Sequence, residues 1–241
     1  MKPYRAYLFF FLGLVCLSVA FFLLSAFLGF FNTSAILSQN NNSNTDTNQT
    51  TDYDPYVTVV PKEVLGGKPQ VLATDPQRGA VDPKVTIVEF GDFECGDCAQ
   101  LKEVIDKVTA DYPDQVTQVW KDDPLPAQHP HAEDAAQAAR CAQDQGAFWD
   151  YRDLLFARQT ELGADLYRNL AQTLNLNQEQ FSQCLQDRIH ENLVVQGYFI
   201  AQTLEIVDTP AYYINNEEHS GVPTYEELKA KVETALAQNQ N

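Results

Sequence analysis

Apolar and polar positions divide the chain into three zones. From Ala6 to Phe31 no residue is charged, and Phe and Leu dominate a run of 26 residues. As a helix this run extends about 39 Å, enough to cross about 30 Å of hydrocarbon with some tilt. From Asn32 to Thr51 the apolar residues almost vanish among Asn, Thr, Ser and Gln, the composition of a flexible tether. Tyr53 to Asp75 is transitional. Val57–Val60 fits an edge strand, but Pro55, Pro61, Pro69 and the Gly66-Gly67 pair interrupt any longer element.

The third zone carries regular periodicities. Val85-Thr86-Ile87-Val88-Glu89-Phe90 is a β-branched apolar run of strand length. After the turn Gly91-Asp92, positions Leu101, Val104, Ile105 and Val108 recur at helical spacing until Tyr112-Pro113 stops them. Val116 to Trp120 then predicts a second strand, which makes a βαβ opening. The next stretch is helical: His131–Ala142 is Ala-rich, Phe148–Ala157 carries aromatics and leucines, and Leu166, Leu170 and Leu174 are four apart. Phe181, Cys184 and Leu185 share one helical face, as do Leu193, Gly197, Ala201 and Leu204. Strand character returns at Ala211-Tyr212-Tyr213-Ile214, Asn215–Ser220 reads as a hairpin turn, and Gly221-Val222 as a short edge strand. Thr224 and Glu227 form a capping box for a last helix bearing Leu228, Val232 and Leu236. The order β-α-β, four or five helices, then β-β-α describes an α/β sheet domain with an inserted α-helical subdomain. The expected organisation is a membrane anchor at 1–31, a linker and transitional segment at 32–75, and a folded domain at 76–241 with its helical insertion at about 124–190.

Charge adds a compartment and excludes a partner. Across 241 residues the formal charge is −17, and Lys2 and Arg5 precede every acid in the chain. Basic residues before the apolar run, with none after it until Lys62, orient the N-terminus to the cytoplasm and the domain outside. A cleaved signal peptide is the competing reading, with cuts after Ala20 or Ala35; the first leaves an exposed apolar tail, and the run is long for a signal peptide. Either way the domain is exported, to where disulfides persist. The acidic surface repels phosphate backbones, so nucleic acid is not an expected partner.

Five cysteines are too few for a disulfide scaffold, and each needs its own account. Cys95-Gly96-Asp97-Cys98 follows a strand and opens a helix. A metal site needs two further ligands at workable spacing; His129 and His131 are two apart and no second pair exists, so neither metal nor cofactor is expected. A redox site needs one cysteine where the unpaired N–H groups and dipole of a helix N-terminus stabilise a thiolate. Cys95 stands there as nucleophile, and Cys98, one turn on, reaches back to resolve a mixed disulfide. Cys141 and Cys184, 43 residues apart, fit a structural disulfide tying the insertion together, the alternative being two buried free thiols. Cys16 lies in the apolar run and reads as a lipid-facing or packing residue.

These motifs resemble the DsbA-like thiol–disulfide oxidoreductases. Val85–Phe90 leading into Asp92-Phe93-Glu94-Cys95 resembles their active-site strand and motif. His129-Pro130-His131-Ala132 through Cys141-Ala142, Gln145-Gly146 and Phe148-Trp149 resembles their inserted helical domain, and Asp208-Thr209-Pro210-Ala211-Tyr212-Tyr213-Ile214-Asn215 their cis-proline loop. The resemblance implies a thioredoxin fold. It also implies that Glu89 is a buried acid beneath the cysteines, with Lys121 as a partner, and that Pro210 is cis, so that Thr209 offers main-chain groups to a substrate peptide. Substrates would be cysteine-containing exported proteins, and a membrane quinone-linked thiol oxidase would reoxidise the pair. The domain is expected to act as a monomer held to the lipid bilayer. The Gly96-Asp97 dipeptide departs from the proline-led pairs of strongly oxidising relatives. Asp97 and Glu94 should raise the Cys95 pKa and weaken it as an oxidant. A reductase or isomerase on the same fold is therefore the runner-up, and a non-catalytic chaperone or binding module the rival from another class.

Overall fold

The computed structural model of the protein describes residues 66–238. The apolar run at 1–31 with Cys16, the tether, and the Val57–Val60 segment lie outside the described residues. Among the described residues no helix is long and apolar enough to cross a membrane.

Five strands form one sheet: β1 (Gln77–Gly79), β2 (Val85–Gly91), β3 (Val116–Asp122), β4 (Ala211–Ile214) and β5 (Glu217–Ser220), in the order β1-β3-β2-β4-β5. β2 is central, parallel to β3 and antiparallel to β4, while β1 and β5 are antiparallel edges. The helices are α1 (Gly96–Asp111), α2 (Ala132–Gln143), α3 (Phe148–Ala157), α4 (Ala164–Thr173), α5 (Gln178–Gln186), α6 (Glu191–Thr203) and α7 (Tyr225–Gln238), with one 3₁₀ turn at Gln159–Glu161. This is a thioredoxin-like sheet with an inserted helical subdomain.

The period-two alternation of β2 splits its side chains between two cores. Val85 and Ile87 pack with Leu101, Ile105 and Val108 of α1 and with Leu228 and Val232 of α7. Val88 and Phe90 pack with Val119 and with Ile200, Ala201 and Leu204 of α6. Helix α6, which follows the insertion, thus covers the sheet. A third cluster joins Phe93 and Trp120 to the inserted helices. Phe93 and Trp120 stack at 4.8 Å, and Phe156 meets both rings, at 5.2 and 6.0 Å.

Two elements differ from expectation. β1 has no apolar residue to announce it; it exists because β3 would otherwise be an open edge, and Gly79, at φ +113°, passes so close to Val116 that a Cβ would meet its carbonyl oxygen at 2.3 Å. The hairpin turn is only Asn215-Asn216, because Asn215 takes a left-handed conformation (φ +55°) and reverses the chain at once. The edge strand therefore runs Glu217–Ser220 and not Gly221-Val222. The capping box forms as read: Glu227 N–H donates to Thr224 Oγ1 at 3.2 Å and Thr224 N–H to Glu227 Oε2 at 2.8 Å.

Candidate active site

β2 and β3 run parallel and end together, so the loops after both converge on the start of α1. Asp92 shapes the first of these loops. Its carboxylate, fully enclosed, accepts from Glu94 N–H at 2.7 Å and Leu125 N–H at 2.9 Å, and lies 2.9 Å from His129 Nδ1. Its carbonyl accepts from Cys95 N–H at 3.2 Å. Gln159, from the 3₁₀ turn, donates to the carbonyls of Phe93 and Cys95 at 2.9 and 2.8 Å. Glu94 accepts from His131 N–H at 2.7 Å. The insertion thus grips the loop from outside while the sheet holds it from below.

Cys95 is the N-cap of α1, 5% exposed, and its sulfur accepts from Cys98 N–H at 3.1 Å. Cys98 is fully buried. Among the described residues these two are the free thiols. Hydrogen bonding from the Cys98 side chain, aided by Thr209 and by the N–H groups of Cys98 and Asp97, holds Cys95 well below an ordinary thiol, at about 7, against the opposing effect of burial. Burial and the neighbouring Cys95 push Cys98 well above the ordinary range. The two thiols are therefore strongly unequal acids: the outer one ionises near neutrality and the inner one keeps its proton.

The loop before β4 completes the site. Thr209 O accepts from Cys95 Sγ at 3.4 Å, and the Thr209–Pro210 bond is cis. Cys95 and Cys98 at the start of α1 and Thr209 and Pro210 before β4 are thus brought together from two separate segments. Gly96 and Asp97 are exposed. Asp97 accepts from Gln100 Nε2 at 3.0 Å on the outer face of α1, and what it turns toward Cys95 is its N–H. Cys141 and Cys184 are linked to each other by a disulfide between α2 and α5.

Glu89 is fully buried but belongs to a different cluster. Gln118 Nε2 donates to Glu89 Oε2 at 3.0 Å, and Arg152 Nη1 lies 3.7 Å from the same oxygen. Arg152, itself fully buried, holds Asp106 through both carboxylate oxygens at 2.7 Å. Burial outweighs these partners and raises Glu89 to about 7. The expected Glu89–Lys121 pair does not form; Lys121 pairs with Asp75 at 2.7 Å. The reason is register: Lys121 stands opposite Phe90 and Trp120 opposite Glu89, so Lys121 emerges on the other face of the sheet.

Sequence reasoning alone does not reach His129 as a site residue, although the motif His129-Pro130-His131 contains it. The hydrogen bond and charge of Asp92, with the charges of Cys95 and Glu94, raise its pKa despite burial. Protonation of His129 and ionisation of Cys95 favour one another. Its signal in the sequence was a histidine close after the second strand, and only the fold brings it onto Asp92.

The comparisons with known proteins follow this geometry. The family model described as Thioredoxin matches residues 72–234. The chain is 39% identical over 164 residues to the Na(+)/H(+) antiporter NhaA 3 of Salinispora tropica, covering 68% of this chain and 25% of that protein. The chain spans about a quarter of the length of the curated relatives it matches, and nothing of their transport activity is carried over to it. Among solved structures it resembles ScsC of Proteus mirabilis in a compact conformation, with 26% identity, a TM-score of 0.58, and 70% of this chain and 76% of that one covered. It also resembles the thiol-disulfide exchange protein alpha-DsbA2 of Wolbachia pipientis, with 19% identity, a TM-score of 0.61, and 67% and 87% covered.

Proposed function

The chain belongs to the thioredoxin family, among its DsbA- and ScsC-like thiol–disulfide oxidoreductases, and from that premise we propose that Cys95 and Cys98 form and exchange disulfides in exported proteins. The observation that carries the reading is the inequality of the two thiols at a helix N-terminus. In the oxidising direction, a substrate thiolate attacks Cys95 of the Cys95–Cys98 disulfide. Cys98 departs and takes up a proton, which its burial favours. A second substrate thiolate then attacks the substrate sulfur of the mixed disulfide and releases Cys95 as a thiolate, leaving the substrate oxidised by two electrons and the pair reduced. Thr209, whose carbonyl lies 3.4 Å from the Cys95 sulfur, pairs with the main chain of the incoming peptide.

The acidity of Cys95 also bears on the direction. A thiolate at about 7 resembles the thioredoxin end of the range and not the strongly oxidising end near 3.5. The favoured role is therefore a mild oxidant and exchanger. Reduction or isomerisation on the same site is the second reading, supported by that same near-neutral value. The N-terminal apolar run holds the domain to the outer face of the membrane, where a quinone-linked thiol oxidase reoxidises it. The test is the reduction potential of the full chain in glutathione buffers. Equilibration near −200 mV supports mild oxidation and exchange, a value near −270 mV assigns reduction, and failure of Cys95 to equilibrate with glutathione refutes the redox reading.

A further inference from the structure

Cys141 and Cys184 close the helical insertion with a disulfide, and two further donor groups stand beside it. Asp144, the C-cap of α2, brings its Oδ2 to 3.9 Å from Cys184 Sγ. His190, the N-cap of α6, sets its Nε2 2.8 Å from that same oxygen. The oxygen, the sulfur and the ring nitrogen all lie within 4.8 Å of one another, the one such group of metal-ligating atoms among the described residues. A hydrogen-bonded ion pair accounts for Asp144 and His190 but not for the sulfur next to them.

The spacing in the chain agrees with this cluster. Cys141-x2-Asp144 and Cys184-x5-His190 are two ligand pairs, the arrangement that Cys95–Cys98 lacks. Residues three apart at the end of a helix share a face, so α2 presents Cys141 and Asp144 together. A disulfide sulfur is a poor metal donor, because the ligand form of cysteine is the thiolate. In the disulfide form the cluster therefore offers one oxygen and one nitrogen. Breaking the bond adds two thiolates at the same place. The set becomes two sulfurs, an imidazole nitrogen and a carboxylate oxygen, which suits tetrahedral Zn²⁺ and not the oxygen-seeking Mg²⁺ or Ca²⁺. Bonds of about 2.3 Å to sulfur and about 2.0 Å to nitrogen and oxygen put neighbouring zinc ligands about 3.3–3.8 Å apart. The observed 2.8 and 3.9 Å meet that range after shifts of about half an ångström. The sulfurs are buried, while the Asp144 side chain is 37% exposed and gives an ion its path from solvent.

We propose that Cys141, Asp144, Cys184 and His190 form a zinc site when the Cys141–Cys184 bond is reduced. Two external thiols supply two electrons and two protons and leave joined as a disulfide; the bond between Cys141 and Cys184 breaks to two thiols. Zn²⁺ then binds both as thiolates and releases their two protons to solvent. Oxidation runs the other way: the thiolates give up two electrons, the bond re-forms and the ion leaves. The insertion thus has two alternative closures between α2 and α5, covalent in an oxidising medium and metal-bridged in a reducing one.

The experiment uses Co²⁺, a coloured stand-in for Zn²⁺, with the full chain carrying Cys95→Ser and Cys98→Ser so that no other described dithiol can bind it. One sample keeps its disulfide. The other is reduced by a phosphine, which takes oxygen from water and leaves as its oxide, and is then desalted without air. The reduced sample should bind one Co²⁺ per chain, with a thiolate-to-cobalt band that Zn²⁺ abolishes, and the disulfide sample should show no band. Loss of a partner that only supports a ligand costs about 10–100-fold in metal affinity, so His190→Ala and Asp144→Asn, which remove ligands, should each weaken binding at least about tenfold. No band in the reduced sample overturns the proposal, as does a band of unchanged affinity in both variants, which leaves the metal to the thiols alone. Should the variants not fold, the thermal midpoint of the reduced parent chain decides: a rise on adding Zn²⁺ that the disulfide form lacks supports the site, and an equal response of the two forms overturns it. Neither result touches the redox reading of Cys95 and Cys98, which glutathione equilibration of the wild type tests separately.

Discussion

Replacing Cys98 with Ala should make Cys95 a markedly weaker acid, and by more than any change at the exposed dipeptide. The low pKa of Cys95 rests first on hydrogen bonding by the Cys98 side chain, with the N–H groups of Cys98 and Asp97 adding to it. A hydrogen bond to a charged group contributes about 1.5–3 kcal/mol. At 1.36 kcal/mol per pKa unit, its loss moves Cys95 from about 7 up by about one to two units. Asp97→His leaves those bonds in place and changes an exposed charge in the first turn of α1, worth about 0.3–1 kcal/mol. That is about 0.2–0.7 of a unit downward, or about 5–20 mV toward a stronger oxidant. The Asp97 carboxylate is exposed and accepts from Gln100 Nε2 at 3.0 Å, which keeps its effect on Cys95 small. Thiolate absorbance of the reduced protein, titrated from pH 4 to 10 for both variants, measures the two shifts side by side. A larger shift for Asp97→His than for Cys98→Ala would refute the hydrogen-bond account and return control of the site to surface charge.

Four further outcomes are expected. Glu89, raised to about 7 in the folded protein, contributes stability that is complete below its unfolded value of about 4.5 and lost as pH rises through about 7. Glu89→Gln should flatten that decline, on the order of 3 kcal/mol in urea melts between pH 4.5 and 7.5; an unchanged slope contradicts the assignment. Gly197→Ala, whose Cβ would meet Asp122 O at 2.3 Å, should cost about 1–3 kcal/mol by forcing α6 off β3. Cys141→Ala with Cys184→Ala should cost about 4 kcal/mol by chain entropy for a 43-residue separation while glutathione exchange at Cys95 persists; lost exchange would tie that disulfide to catalysis. Protease added to intact spheroplasts should digest the domain, and protection would reverse the orientation read from Lys2 and Arg5.

Periodicity was enough for most of the architecture. β2 is a β-branched apolar run of strand length, and α1 and the inserted helices repeat their apolar residues at helical spacing, so they were legible in one dimension. Cys95-Gly96-Asp97-Cys98 was legible for the same reason: a strand ending just before it and a helix starting within it define a helix N-terminus without knowledge of the rest. The Thr224–Glu227 box is equally local, and it forms as written. What the tertiary structure alone decided is everything that depends on register or on which loops meet. Sheet register put Lys121 opposite Phe90, so the lysine went to Asp75 and Glu89 to Gln118 and Arg152. β1 has no pattern of its own because it is held by the edge it covers. His129 and Gln159 lie 34 and 64 residues from Cys95 in the chain, and they come to bear on its loop only because two parallel strands end level and the insertion folds back over them. A sequence states which groups are present and their local conformation; pKa values and partners follow from distance and burial, and those exist only once the chain has closed on itself.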